Sequence, residues 1–133
     1  VCPTEAILPL SLEAKKKTAM GLAYFDKNLC IPYERHEDCL VCEEHCPVPS
    51  KAIRFDVKQA VLPEGGSRQV KYPYVVRELC TGCGICEQKC PLPGRPGVFV
   101  VNENEKRWEA LPGEEELKQL QNPSEPSGGS IYG

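Results

Sequence analysis

The chain has 133 residues, of which 41% are hydrophobic and 26% charged, and its formal net charge is −3. This length predicts one domain with appendages, and the acidic balance argues against nucleic-acid binding through a basic surface. No apolar run approaches the ~20 residues that a membrane-spanning helix needs.

Two elements are predicted ahead of the cysteine motifs. Ser11 is a suitable N-cap for a helix over residues 12–20, which Gly21 would end as the C-terminal cap. Residues 21–28 (GLAYFDKN) then form a predicted strand, in which Tyr24 and Phe25 are the packing residues.

Three further strands are predicted downstream. Residues 52–57 follow a short helical turn after Cys46-Pro47, and Pro63–Ser67 is a hairpin turn. Residues 70–79 form the next strand, which Pro73 places at a sheet edge, and residues 97–102 close the same small antiparallel sheet. The order strand, cysteine loop, helix and strand occurs twice, which predicts an α+β fold.

The segment after residue 102 is predicted to be an extension of the domain. A short acidic helix opens at Pro112–Glu114 and runs to about Gln121, after Trp108 and Leu111 and with Leu117 and Leu120 on one face. Residues 122–133 have the composition of a linker. We expect residues 103–133 to pack on the domain or on a partner.

The run Cys80-x2-Cys83-x2-Cys86-x3-Cys90-Pro91 is the most informative feature. A compact loop with a cysteine at every third residue points three sulfurs toward one cubane, and the fourth, beside proline, is carried away by a helix. Gly82 and Gly84 allow such a loop to fold tightly with its amides facing the sulfurs. Zinc is the alternative, but zinc sites usually pair two distant Cys-x2–4-Cys units. The run therefore predicts a [4Fe–4S] cluster.

A second, altered copy lies upstream as Cys30-x8-Cys39-x2-Cys42-x3-Cys46-Pro47. The regular first position, three residues before Cys39, holds His36 instead. Either Cys30 supplies the fourth thiolate across a looped-out Ile31–Asp38, or His36 binds iron directly, as histidine does in Rieske centres. We favour Cys30, because a thiolate suits an all-cysteine cubane better and a histidine between Arg35 and Glu37 is more often solvated. His45 is given no role.

Residues 21 to about 102 resemble the bacterial-type ferredoxins with two [4Fe–4S] clusters. The looped first motif, after the Met-Gly-x-Ala segment that starts at Met20, looks like the ferredoxin-type proteins associated with periplasmic nitrate reductase and methylamine utilisation. The resemblance implies a ferredoxin-like fold with a pseudo-twofold βαβ repeat and two [4Fe–4S] clusters with crossed ligands. Cluster 1 would take Cys30, Cys39, Cys42 and Cys90, and cluster 2 would take Cys80, Cys83, Cys86 and Cys46.

The resemblance also implies a function in electron transfer. Such proteins pass electrons between a membrane quinol oxidoreductase and a soluble reductase, so we expect a subunit or dedicated partner of a larger oxidoreductase. The alternatives are a freely diffusing low-potential ferredoxin and a non-redox structural metal-binding module. The chain has no nucleophile–base pair or phosphate loop, and we do not expect an enzyme.

The expected partner is a redox protein with a basic docking patch. Two oxidised clusters would bring the net charge of the chain to about −7, which favours a positively charged docking surface on the partner. The location would be periplasmic if the similarity to the nitrate-reductase type holds, and cytoplasmic otherwise.

Cys2-Pro3, followed by Ala6-Ile7, has the same form as Cys46-Pro47, followed by Ala52-Ile53. We interpret residues 1–20 as the end of an upstream cluster motif plus a connector helix. Cys2 would then be a ligand of an upstream cluster and would bind neither of the two clusters above.

Overall fold

The computed structural model describes residues 3–4 and 6–119. Cys2 and residues 120–133 lie outside this range, and so do the expectations that fall on them. The described part is α+β, as predicted, with short helices and small antiparallel sheets. The described residues divide into two compact units, one spanning Ala19–Glu105 and the other drawn from the described residues before Ala19 and after Glu105.

The strands form two separate two-stranded antiparallel sheets, so the predicted single sheet is wrong. Strand β1 (Leu22–Phe25) pairs with β4 (Val98–Val101), with Leu22 opposite Val101. Strand β2 (Ile53–Val61) pairs with β3 (Ser67–Val75), with Ile53 opposite Val75. The β1–β4 sheet therefore joins the first and last strands of the Ala19–Glu105 unit, while the β2–β3 sheet is a local hairpin.

The β2–β3 hairpin is longer than the sequence predicted. Its turn is closed by the Leu62 amide, which donates to the Gly66 carbonyl at 3.0 Å, and this confirms the turn signal around residues 63–67. Residues 58–61 and 67–69, which lie between the two predicted strands, continue them in the structure. Pro73 lies opposite Phe55 and belongs to an edge strand, as predicted, because both strands of this sheet are edges.

The unit containing the chain ends holds two of the helices. Helix α1 (Leu12–Lys17) begins as predicted, because the Ser11 hydroxyl accepts a hydrogen bond from the Ala14 amide at 3.2 Å. The predicted end at Gly21 is wrong, since α1 stops at Thr18. Helix α5 (Glu114–Gln119) opens with three glutamates, which confirms the acidic helix of the extension. The Trp108 indole donates to the Thr18 hydroxyl at 2.9 Å.

The core of the Ala19–Glu105 unit lies between its strands and its cysteine helices. Ala23, Ile53, Cys86 and Val98 are buried together. The partly buried Phe25, Cys42, Val75, Cys80, Cys90 and Val100 pack around them. Cysteines of both motifs therefore belong to the hydrophobic core. Among the described residues, no helix has the length and apolar character required to cross a membrane.

Candidate iron–sulfur sites

Three short helices position the cysteines. Helix α2 (Ile31–Arg35) begins immediately after Cys30, α3 (Val41–Glu44) contains Cys42, and α4 (Ile85–Lys89) contains Cys86. Helices α3 and α4 pack against each other, which brings the two motifs together. The loop before α4 uses left-handed backbone at Gly82, with φ 69°, and at Gly84, with φ 77°. Only glycine adopts this conformation at little cost.

One group of four thiols surrounds an open recess beside the second motif. The recess encloses about 330 Å³, part of it open to solvent. The cysteines that line it are Cys46, Cys80, Cys83 and Cys86. Three of them come from the second motif and Cys46 from the first. The rest of the lining is mainly small or apolar, including Ala23, Ile53 and Val100.

A second group of thiols lies around Cys30. Burial first, and then the neighbouring Cys39 and Cys90 thiols, raise the pKa of Cys30 to about 12. The pKa of Cys42 is also raised to about 12, first by burial and then by Cys86, Cys90, Cys30 and Cys39. Cys42 therefore interacts electrostatically with the whole group and also with Cys86 of the other group.

The thiol chemistry fits an iron–sulfur cofactor better than a reactive cysteine. Burial is also the largest cause that raises the pKa of Cys86, to about 11. Ionised together in low-dielectric surroundings, such thiols would repel one another, whereas binding to positively charged iron stabilises the thiolate form. Among the described residues, no three His, Cys, Asp or Glu side chains form a group suited to a single metal ion. The thiols are instead spread around a space.

Gly97 is a site residue that the sequence analysis missed. Its amide donates to the sulfur of Cys90 at 3.3 Å, the kind of hydrogen bond that tunes a cluster thiolate. A Cβ at Gly97 would lie 2.7 Å from the Cys30 Cα atom, so no larger residue fits there. A glycine directly after Pro96 at the start of a strand was the available signal.

Lys51 is a second residue that the sequence analysis missed. Its ammonium donates to three carbonyl oxygens: those of Glu43 at 2.9 Å, Glu44 at 3.2 Å and Cys46 at 3.0 Å. The Glu43 carbonyl also accepts from the Cys46 amide at 3.1 Å, and the lysine adds a charged donor to it and to the neighbouring carbonyls at the end of α3. Lys51 thus fixes the peptide of Cys46, a thiol of the recess.

Neither histidine of the first motif is grouped with the thiols described above. His36 ends α2 in a left-handed conformation, and its Nδ1 shares a hydrogen bond of 3.0 Å with the Tyr72 hydroxyl. The Nδ1 atom of His45 lies 3.0 Å from the Val41 carbonyl, and its side chain is exposed. Cys30, in contrast, is only 8% exposed and interacts with Cys39 and Cys90.

Comparisons with known proteins agree with the cysteine motifs. Residues 73–92 match the family model of the 4Fe-4S binding domain, Fer4. The chain is 36% identical over 84 residues to the methylamine utilization ferredoxin-type protein MauM of Methylobacillus flagellatus. That match covers 62% of this chain and 33% of the relative, so it spans about a third of the relative's length. No solved structure matches the chain. The two matches support a ferredoxin-type iron–sulfur protein.

Proposed function

We propose that the chain binds two [4Fe–4S] clusters and transfers electrons, as a subunit or dedicated partner of a larger oxidoreductase. The observation that supports this proposal is the mixing of the two motifs around their thiols: Cys46 lines one recess with Cys80, Cys83 and Cys86, and Cys30 interacts with both Cys39 and Cys90. A two-cluster ferredoxin-type fold accounts for this crossing, because the cysteine that precedes proline in one motif ligates the other cluster.

The ligand sets follow from the two groups of thiols. Cluster 1 is assigned to Cys30, Cys39, Cys42 and Cys90. Cluster 2 is assigned to Cys46, Cys80, Cys83 and Cys86. The pKa increases around Cys30 support the first assignment, and the lining of the recess supports the second. His36 is left out, since its ring is engaged with Tyr72.

The protein's own residues hold the sites and set their surroundings. When bound, each [4Fe–4S] cluster supplies a one-electron couple, accepting an electron from a reduced donor and passing it to an oxidised acceptor. The Gly97 amide directs a hydrogen bond at the Cys90 sulfur, and Lys51 holds the backbone of Cys46. The buried apolar residues Ala23, Ile53 and Val98 lower the local dielectric, which tunes the potential of a bound cluster. We assign the chain no catalytic group.

The net charge of the chain and its similarity to the MauM protein support a role as the redox partner of another protein. A chain of net charge −3, made more acidic by two clusters, favours a redox partner with a basic docking patch. The relative is named a ferredoxin-type protein of methylamine utilization. We propose a comparable place for this chain, between a donor and an acceptor of electrons.

Anaerobic reconstitution with iron and sulfide tests the proposal. Two full ligand sets predict about eight iron and eight sulfide per chain and a visible absorbance that dithionite bleaches reversibly. Stoichiometric zinc without acid-labile sulfide, or absorbance that no reductant changes, would contradict it. Co-purification of the native protein with oxidoreductase subunits would support the dedicated role. Isolation as a free monomer with full redox activity would instead favour a diffusing ferredoxin.

A further inference from the structure

The eight residues between Cys30 and Cys39, here called the insert (Ile31–Asp38), are fastened to strand β3. The Tyr33 hydroxyl donates to the Pro73 carbonyl at 2.7 Å, and its ring lies 5.1 Å from the ring of Tyr72. Pro32 is among the fully buried side chains of the chain. The insert is therefore packed and hydrogen-bonded against β3.

The second half of the insert is bound just as closely. His36 shares its Nδ1 hydrogen bond with Tyr72, and its carbonyl accepts from the guanidinium of Arg68. The Asp38 carboxylate accepts from the Lys71 amide at 2.9 Å. Every one of these partners lies on β3, between Arg68 and Pro73.

The β2–β3 hairpin is long enough to provide all of these bonding partners of the insert. Arg68 lies in the part of β3 before the predicted strand, and Val70, the first residue of that predicted strand, is completely buried. A hairpin that ended near residue 70 would lack the Arg68 partner of the insert. The extra strand length thus serves the extra residues of the first motif.

Tyr33 connects strand β3 to the backbone of Cys30, a proposed ligand of cluster 1. Its amide donates to the Cys30 carbonyl at 3.0 Å. The pKa of Tyr33 is raised first by burial and then by the thiol of Cys30, which places the phenol within range of that sulfur. Cys30 itself is 8% exposed.

The recess of cluster 2 has no such cover. Cys83, in the loop before α4, is exposed, and the recess opens to solvent. Each ligand set has one thiol at 8% exposure, Cys30 in the first and Cys86 in the second, so the two sets differ in solvent access at Cys83, the exposed thiol of the second set.

We infer that the insert and β3 form a cover that closes cluster 1 off from solvent and leaves cluster 2 as the outward-facing site. This inference rests on the proposed function, because it requires both clusters. In the covered site, low dielectric disfavours the additional negative charge of the reduced form, and the cover thereby lowers the potential of cluster 1. Tyr33 acts as a positioning residue, since it is not itself a ligand.

Iron release to the chelator bathophenanthroline disulfonate, measured anaerobically on the reconstituted full chain, tests the cover. Electron paramagnetic resonance follows each cluster, with Cys39→Ser and Cys83→Ser identifying the two signals. We expect cluster 2 to lose its iron about tenfold faster or more, because chelation at cluster 1 first requires local opening of the cover. Equal rates for the two clusters would overturn the inference.

Three variants provide the matched comparison. Tyr33→Ala removes the ring and the bond to Pro73, and it should speed iron loss from cluster 1 about tenfold and raise its midpoint potential, with cluster 2 unchanged. Tyr33→Phe removes only the hydroxyl and should act in the same direction to a smaller extent. Tyr74→Ala, at a 44% exposed tyrosine on the same strand, should change neither cluster.

The experiment distinguishes failure of the cover from failure of the proposed function. A potential of cluster 1 that stays at the parental value in Tyr33→Ala, with two clusters present, would overturn the cover alone. A protein that fails to hold two reducible clusters would overturn the proposed function before the cover could be judged.

Discussion

The ammonium nitrogen of Lys51 lies 3.0 Å from the carbonyl oxygen of Cys46. The backbone of Lys51 has φ 51°, a conformation that costs a residue other than glycine about 1–3 kcal/mol. Hydrogen bonds to Cys46, Glu43 and Glu44 offset that cost and hold the lysine in place. One side chain thus couples the end of α3 to the segment that leads into β2.

Lys51→Met should destabilise the protein by about 1–3 kcal/mol, because it removes a charged donor that three carbonyls at and just after the end of α3 share. The urea midpoint of the reconstituted protein under anaerobic conditions measures the loss. Lys58→Met is the control: the ammonium of Lys58 forms an exposed ion pair with Asp56 at 2.8 Å, worth about 0–1 kcal/mol. An equal shift in both variants would mean that the contacts of Lys51 contribute no more than an ordinary surface pair.

Local signals in the sequence predicted local structure well. The Ser11 cap, the turn near Gly65 and Gly66, and the acidic start of α5 each depend on residues a few positions apart. The end of α1 was wrong because Thr18 caps the helix through its own amide, which donates to Lys15, before Gly21 is reached. A glycine after a helical pattern is only one of several ways to end a helix.

Long-range pairing could not be predicted in the same way. One small sheet and two separate two-stranded sheets would place the same residues in strands. The two arrangements differ only in which strand pairs with which. Strand β1 pairs with β4, which is more than seventy residues away, whereas β2 pairs with its neighbour. The contacts of Lys51, Gly97 and the insert likewise depend on segments that meet only in the folded chain. The cysteine spacing, in contrast, indicated the site chemistry directly.

Gly82→Ala should prevent assembly of the second motif, whereas Gly84→Ala should be tolerated. Both glycines have positive φ, which costs alanine about 1–2 kcal/mol. An added Cβ at Gly82 would also lie 2.4 Å from the backbone nitrogen of Gly21, but at Gly84 it would meet nothing within 4 Å. Iron content and the cluster 2 signal after reconstitution measure the difference. Similar losses in the two variants would show that φ alone, and not the approach of Gly21, controls this loop.

Cys30→Ser should damage cluster 1, and His36→Ala should leave its iron content nearly unchanged. Cys30 is buried beside Cys39 and Cys90, while His36 is engaged with Tyr72. Loss of the Tyr72 hydrogen bond should appear only as a modest weakening of the insert, about 0.5–1.5 kcal/mol. Iron content and the cluster 1 signal decide the matter. Loss of cluster 1 in His36→Ala with retention in Cys30→Ser would identify the histidine as the fourth ligand.

Cys46→Ser should disturb cluster 2, although Cys46 belongs to the first motif in sequence. The thiol of Cys46 lines the same recess as Cys80, Cys83 and Cys86, and Lys51 fixes its backbone there. Serine keeps the size of the side chain but is a much poorer ligand for iron, so the cluster 2 signal should be lost or converted while that of cluster 1 persists. Cys39→Ser, in the same motif, is the matched control and should affect cluster 1 instead. If both variants disturbed the same cluster, the ligands of each motif would bind a single cluster and the crossed assignment would be wrong.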